Sequence, residues 1–314
     1  MAQVEEFEKA EEYSLYAVKD SLLLPDTYII CSEPAREVLY SPHLVGKKLH
    51  ELMQKNAEIF VQIASKHVLA GAPKKDICEL VFLSGGLYYF LSHGFKKRFG
   101  FAPQQCFIGI QRQRIEGTQG QFRAIAAYEN FEALPDKAHI ILGDTIATGA
   151  TLVKGIQLLL DAAEVRGSSL QSITVFTLAG SSEGARRLAK LAKTHIYPQH
   201  PSCKVSLYAC EMLFHLMPDG TDLRFLMSSS IMPSESAQEA KRRYGNYLAK
   251  HMRCAVFDWG TRCKNPIAHC KEFLHYIESE LSSVKPDEKA RSVLLRMKSE
   301  TLQELSFMES PLNQ

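Results

Sequence analysis

The sequence predicts an α/β protein: a largely parallel sheet covered by helices on both faces, followed by a helical C-terminal appendage. Two observations carry this. Short, nearly continuous apolar runs alternate with helical stretches between residues 79 and 209, the order expected of a sheet buried on both sides. Beyond residue 235 the apolar runs give way to long amphipathic stretches. The length of 314 residues is enough to bury a sizeable core.

Taken in order, residues 1–55 read as a polar, partly helical or irregular extension. Glu5, Glu6, Glu8, Glu11 and Glu12 form an acidic face there, and Pro25, Pro34 and Pro42 break the pattern into short pieces. Helical spacing of Leu49, Leu52, Met53, Ile59, Phe60, Ile63, Ala64 and Val68 predicts a helix over 44–69, ended by Gly71-Ala72-Pro73. The α/β core spans 56–234. Strands are expected at 79–83, 106–110, 122–128, 139–142, 173–178 and 205–209, and helices at 87–99, 151–165 and 182–193. Residues 111–121 are polar and glycine-bearing, which predicts a loop. The appendage, 235–314, is expected to hold helices at 268–281 and 287–308.

Composition excludes several classes. Apolar residues make up 46% and charged residues 23%, against the profile of a disordered chain. Thirty-seven basic against 35 acidic residues give +2, so no nucleic acid or anionic membrane partner is expected. No apolar window is long enough for a spanning helix, and the acidic start lacks a signal-peptide order, so a cytoplasmic location is expected. The eight cysteines are scattered without a C-x-x-C pair and read as reduced thiols. His251, Cys254, Cys263, His269 and Cys270 fall within 20 residues, but their spacing is looser than that of structural zinc sites.

The chemistry concentrates in HIILGDTIATGATLVKGI at 139–156. A buried strand ends near Leu142 and Asp144 follows. Then Thr145, Ala147, Thr148, Gly149, Ala150 and Thr151 lead directly into a helix. Unpaired amides at a helix N-terminus bind anions with help from the dipole. Small residues allow close approach and the threonines add hydroxyls. The turn therefore suits a phosphate monoester, with Asp144 placed to accept from a sugar diol. The same pattern also suits an ordinary helix capped by Thr148 or Thr151. A Walker loop, a dinucleotide fingerprint, a nucleophile elbow and an H-E-x-x-H motif are all missing from the sequence. His139 and the single Trp259 read as structural residues.

ILGDTIATGAT resembles the phosphoribosyl-pyrophosphate loop of type I phosphoribosyltransferases. The similarity runs over residues 78–225 and is nearest to uracil phosphoribosyltransferases. Phe82-Leu83-Ser84-Gly85-Gly86-Leu87 is similar to that family's pyrophosphate loop, and Gly109-Ile110-Gln111-Arg112 to its G-I-Y-R. Tyr128, Leu134 and Pro135 fall where it has a tyrosine and then L-P, and Leu178 to Gly184 resembles its V-A-A-P-E-G segment. The resemblance implies a type I phosphoribosyltransferase fold and a transferase joining ribose 5-phosphate to a nucleobase or similar nitrogen acceptor. It implies that 5-phosphoribosyl 1-pyrophosphate brings Mg²⁺, without a side-chain cage for the metal. Residues 147–151 would then hold the 5′-phosphate, Asp144 the ribose, and Ser84, Gly85 and Gly86 the pyrophosphate. Asp144 and Arg112 would be the catalytic residues, with 111–121 as a cover. A homodimer is also implied. The chain departs from the family where it has Gly143 in place of an acid, Ser84 in place of an arginine, and only a faint echo, Pro218 to Arg224, of the segment over the base. These departures imply an alternative: a catalytically silent sensor that binds the donor or a nucleotide.

Overall fold

The computed structural model describes residues 2–83, 85–117, 122–254, 259–283 and 287–311. Its centre is a nine-stranded sheet in the order β1-β2-β3-β10-β8-β7-β4-β5-β6. The strands are β1 (Gln3–Lys9), β2 (Ser14–Lys19), β3 (Asp26–Cys31), β4 (Ile77–Leu83), β5 (Gln104–Arg114), β6 (Phe122–Asn130), β7 (Lys137–Gly143), β8 (Ser169–Thr177) and β10 (Lys204–Cys210). The stretch from β3 to β5 is parallel throughout, and antiparallel strands close both edges. A second, small sheet joins β9 (Gly180–Ser181), β11 (Leu213–Leu216) and β12 (Leu223–Arg224).

Side-chain alternation divides the core. Ile141, Phe176 and Tyr208 point to one face, where they meet α1 (Glu33–Tyr40), α2 (Gly46–His67) and α3 (Leu91–Phe99). Ile140, Leu142, Ile173, Val175 and Leu207 point to the other, against α4 (Ala150–Arg166) and α5 (Ser182–Leu191). A π turn carries α5 into the short α6 (Tyr197–Gln199). Burial on both faces is why the central strands read as unbroken apolar runs, and the expected sheet with helices on each side is observed. The appendage is helical as expected: α7 (Ser234–His251), α8 (Trp259–Lys264), α9 (Pro266–Ser283) and α10 (Glu288–Glu309). Asp287 caps α10 by accepting from the Ala290 amide at 2.7 Å.

Three expectations are corrected. Residues 3–31 hold three strands, and the helix expected within 1–55 is confined to its second half, from Glu33 onward. Thr27-Tyr28-Ile29-Ile30-Cys31 is a β-branched and aromatic run that pairs with β10, and the glutamates of β1 line the outer edge of the sheet, where charge discourages further pairing. Residues 111–114 continue β5 and pair with 122–125 in a hairpin, where a loop was expected, and 118–121 lie outside the described residues. A polar hairpin arm lacks the apolar alternation that would announce it. Finally, the helix expected from Leu87 begins only at Leu91: a 3-10 turn (Gly85–Tyr89) precedes it, and Phe90 sits at φ 54°.

The N-terminal hairpin is clamped to α2 through Glu8, which accepts from Tyr13 and from the side chains of Lys66 and His67, each at 2.8 Å. The Lys66 hydrogen bond chiefly holds this carboxyl down at about 2 against the opposing effect of burial, with Tyr13 and His67 adding to it. A carboxyl held below its ordinary 4.5 stabilises the fold above that pH and loses the contribution as pH falls through about 2. Thermal melting across this acid window is expected to decline less steeply for Glu8→Gln than for the unaltered chain. Parallel declines would refute the clamp.

Among the described residues no helix is long and apolar enough to cross a membrane.

Candidate functional site

The chain leaves β4 towards β5 and leaves β7 in the opposite direction, towards β8. Open parallel sheets bind ligands at such a reversal, beyond the carboxyl ends of the strands. Here the two loops that flank the reversal are the segment after Leu83 and the segment after Gly143. A cleft of about 480 Å³ opens between them.

The turn after β7 is built from the strand upward. The Asp144 amide donates to Phe176 O at 3.1 Å and the Ile146 amide to Ala179 O at 3.0 Å, so the chain stays tied to the sheet for three residues. It then departs: Ser181 donates its hydroxyl to Ala147 O, and Arg187 donates to Thr148 O at 3.0 Å. Carbonyls are thereby engaged on the protein side. Among the described residues, the amides of Ala147, Thr148, Gly149 and Thr151 have no protein acceptor. Residues 145–152 enclose a hollow of about 20 Å³, room for about one water-sized group. The start of α4 adds its dipole. Gly149 turns the chain at φ 75°, and Gly184 lies so close that a Cβ there would come within 2.4 Å of Ile146 Cγ2 and 2.8 Å of Ala147 O. The amide Ala150 N reaches Thr148 Oγ1 at 3.4 Å, so Thr148 contributes a weak local cap within the same turn.

The expected site residues separate into three groups. Gly85, Asp144, Thr145, Ala147 and Thr151 line the main cleft together. Thr148, Gly149 and Ala150 line the hollow beside it, and Gly86 is buried against the Gly143 carbonyl. Ser84 lies outside the described residues, as does the side chain of Arg112, whose backbone pairs with Ala124 two residues beyond Ile110, a cleft residue. Lys96 and Arg98 sit on the exposed last turn of α3 and do not line the cleft.

Gly143 has a steric cause. Any Cβ there would lie 2.5–2.6 Å from the Tyr89 ring and its Cβ. Tyr89 is fully buried, takes the Leu178 amide at 3.2 Å, and sits 3.2 Å from Thr145 Oγ1. Burial pushes its phenol well above the usual value, so it acts as a neutral hydrogen-bonding strut under the turn. Gly143→Ala is expected to lose about 1–3 kcal/mol by overpacking, read as a lowered urea midpoint. An unchanged midpoint would show that Tyr89 does not set this position.

On the far wall, Thr221, Asp222 and Leu223 come from the Pro218–Arg224 stretch that resembles the segment over the base, whereas Arg253, Trp259, Gly260 and Glu272 were not anticipated from the sequence. Trp259, expected to be merely structural, stands on the cleft with Cδ1 3.6 Å from where a Gly85 Cβ would be. Burial raises the Asp222 carboxyl, against the opposing charge of Arg224 and Arg253. Of the loose cysteine–histidine cluster, His269 bonds Pro42 O at 2.8 Å and Cys254 and Cys270 are buried. Among the described residues no group of three or more His, Cys, Asp or Glu is arranged to hold a metal.

No protein-family model and no curated protein matches the chain. Solved phosphoribosyltransferase structures are similar at low identity. A mutant hypoxanthine phosphoribosyltransferase from Trypanosoma cruzi, complexed with the product IMP, is 13% identical over 60% of this chain and 91% of that one, with a TM-score of 0.33. The hypoxanthine-guanine phosphoribosyltransferase of L. donovani is 17% identical over 48% and 78%, with a TM-score of 0.31.

Proposed function

We propose that the protein is a phosphoribosyltransferase that uses 5-phosphoribosyl 1-pyrophosphate and Mg²⁺ to attach ribose 5-phosphate to a nucleobase or similar nitrogen acceptor. The observation that supports this most is the turn at 144–151: four unengaged amides at the N-terminus of α4, around a hollow, next to a carboxylate in an open cleft. That combination suits a sugar bearing a terminal phosphate.

In this reading the 5′-phosphate lies on the amides of 147–151 and Asp144 accepts from the ribose hydroxyls. Pyrophosphate extends across Gly85-Gly86. The acceptor nitrogen forms its bond to C1′ as the C1′–O bond to pyrophosphate breaks, and the nitrogen's proton passes to solvent. The transition state carries oxocarbenium character, so the protein contributes mainly alignment and electrostatics. Asp144 on the cleft is a hard oxygen donor compatible with a hydrated Mg²⁺ that the donor's phosphates would carry. When bound on the donor's phosphates, Mg²⁺ supplies neutralising charge for the leaving pyrophosphate. In this reading β5, whose Ile110 lines the cleft and which carries Arg112 two residues further on, would begin a cover over the donor.

A second reading is a donor-binding sensor without turnover. It is favoured by Tyr89 filling the space beside Gly143 and by Lys96 and Arg98 lying away from the cleft. Calorimetric titration of the donor with and without Mg²⁺, paired with pyrophosphate release over a panel of bases, separates the two. Binding with release supports the transferase. Binding without release from any base supports the sensor, and no binding refutes both.

A further inference from the structure

A second cavity, of about 490 Å³, shares no lining residue with the cleft. It lies on the seam between core and appendage, where ligand sites often form: α1 and the start of α2 make one side, α7 and α10 the other. Some of its charges are engaged and some are not. Arg243 is held by Glu33 at 2.9 Å, Glu37 at 2.7 Å and Glu239 at 2.6 Å, and Arg242 by Glu239 at 2.6 Å. Lys48 on α2 and Arg296 on α10 are exposed to solvent and make no hydrogen bond or ion pair among the described residues. His43, from the turn between α1 and α2, senses both. Burial first, and then the positive charges of Arg262, Lys48 and Arg296, push its imidazole down to about 4 against the opposing Glu37, so the ring is neutral at pH 7. Glu300 lies 3.4 Å from that ring. The start of α2 adds no acidic residue in its first turn.

The geometry points to a second anion site, in which Lys48 and Arg296 hold the phosphate group of a small ligand across the seam. This inference is independent of the transferase and sensor readings, which concern the cleft alone. Two unengaged cations suit a dianion, and a phosphate monoester carries about −1.5 to −2 at pH 7. The planar fork of Arg296 can take two phosphate oxygens, while Lys48 serves as a point charge. Glu33, Glu37 and Glu300 on the same lining repel an anion spread over the whole cavity, so the group is confined to the end where Lys48 and Arg296 act on His43. The bound phosphate bridges α2 of the core and α10 of the appendage, and it stabilises the fold by mass action.

The test titrates the full chain with inorganic phosphate, glycerol 3-phosphate or acetate at constant ionic strength and follows two sets of amide resonances by NMR. Lys47, Lys48, Leu49, Arg296 and Met297 report on this cavity, and Ala147 to Thr151 on the cleft. Saturable shifts of the first set are expected with both phosphates, and at least tenfold weaker binding with acetate; whichever phosphate binds more tightly identifies the source of the group. Lys48→Gln and Arg296→Gln should each weaken that binding about tenfold, the worth of one charge-assisted hydrogen bond, while half-saturation of the cleft set stays in place. Both side chains are exposed, so the melting temperature without phosphate should hold in each variant, and the rise that phosphate brings should shrink. First-set resonances that ignore phosphate, that follow acetate equally, or that respond alike after both substitutions would overturn the inference. Movement of the first set alone would uphold it and count against the cradle at 147–151, and movement of the cleft set alone would do the reverse.

Discussion

Asp144→Ala is expected to weaken binding of ribose 5-phosphate by about 10- to 100-fold, the worth of hydrogen bonds between hydroxyls and an ionised carboxylate. The carboxyl group stands at the carboxyl end of β7, where the sheet reverses its chain order, and it opens onto the cleft while its backbone amide stays tied to Phe176 O. Its Oδ1 also accepts from the Thr145 amide at 2.9 Å, a local bond that fixes the side chain's direction. An asparagine can retain that local bond, so Asp144→Asn isolates the charge: it should fall between the unaltered chain and the alanine variant. Folding should change little in either, because the side chain is only half-buried. Ribose 5-phosphate affinity unchanged in Asp144→Ala would remove the ribose from this position.

Arg262→Ala is expected to be the most destabilising single change, on the order of 3–5 kcal/mol, by analogy with the removal of one member of a buried charged network. The side chain is fully buried. It donates to Val38 O at 3.1 Å, to Ser41 O at 2.8 Å, and to Leu44 O at 3.1 and 2.9 Å, thereby tying a last-turn carbonyl of α1 to two carbonyls of the turn that follows it. Removing the guanidinium strands those carbonyls in the core and loosens α8, which carries Trp259. Burial draws the guanidinium down to about 10, a measure of how thoroughly the site excludes water. Lysine offers a single point of donation and cannot span three carbonyls, so Arg262→Lys should recover only part of the loss. The check is denaturant unfolding followed by far-ultraviolet circular dichroism. A midpoint within error of the unaltered chain would show that the appendage is held by its apolar contacts alone.

The central sheet was legible because burial on both faces writes each strand as an apolar run, as in His139-Ile140-Ile141-Leu142 and Ile173-Thr174-Val175. The turn at 144–151 was legible as a strand-to-helix turn because its small residues and hydroxyls stand in a fixed place between an apolar run and a helical stretch. The outer strand and the hairpin arm were not: Gln3–Lys9 and, beyond Ile110, Gln111, Gln113 and Arg114 expose much of their surface, so their composition resembles that of loops. Most of the far wall of the cleft was hidden for a different reason. Asp222, Arg253, Trp259 and Glu272 come from distant stretches of sequence and meet only through the packing of the appendage. Gly143 carried a signal that sequence alone could not interpret, because the ring that forbids a side chain there belongs to Tyr89.

The proposed function depends most on the amides of Ala147, Thr148, Gly149 and Thr151 receiving a sugar's phosphate. Amide-resolved NMR titration of the full chain with ribose 5-phosphate, and in parallel with ribose, addresses those four groups one by one. Large shifts at these amides with the phosphorylated sugar and little change with ribose are predicted. Saturable binding of ribose 5-phosphate that leaves all four resonances in place would contradict the account.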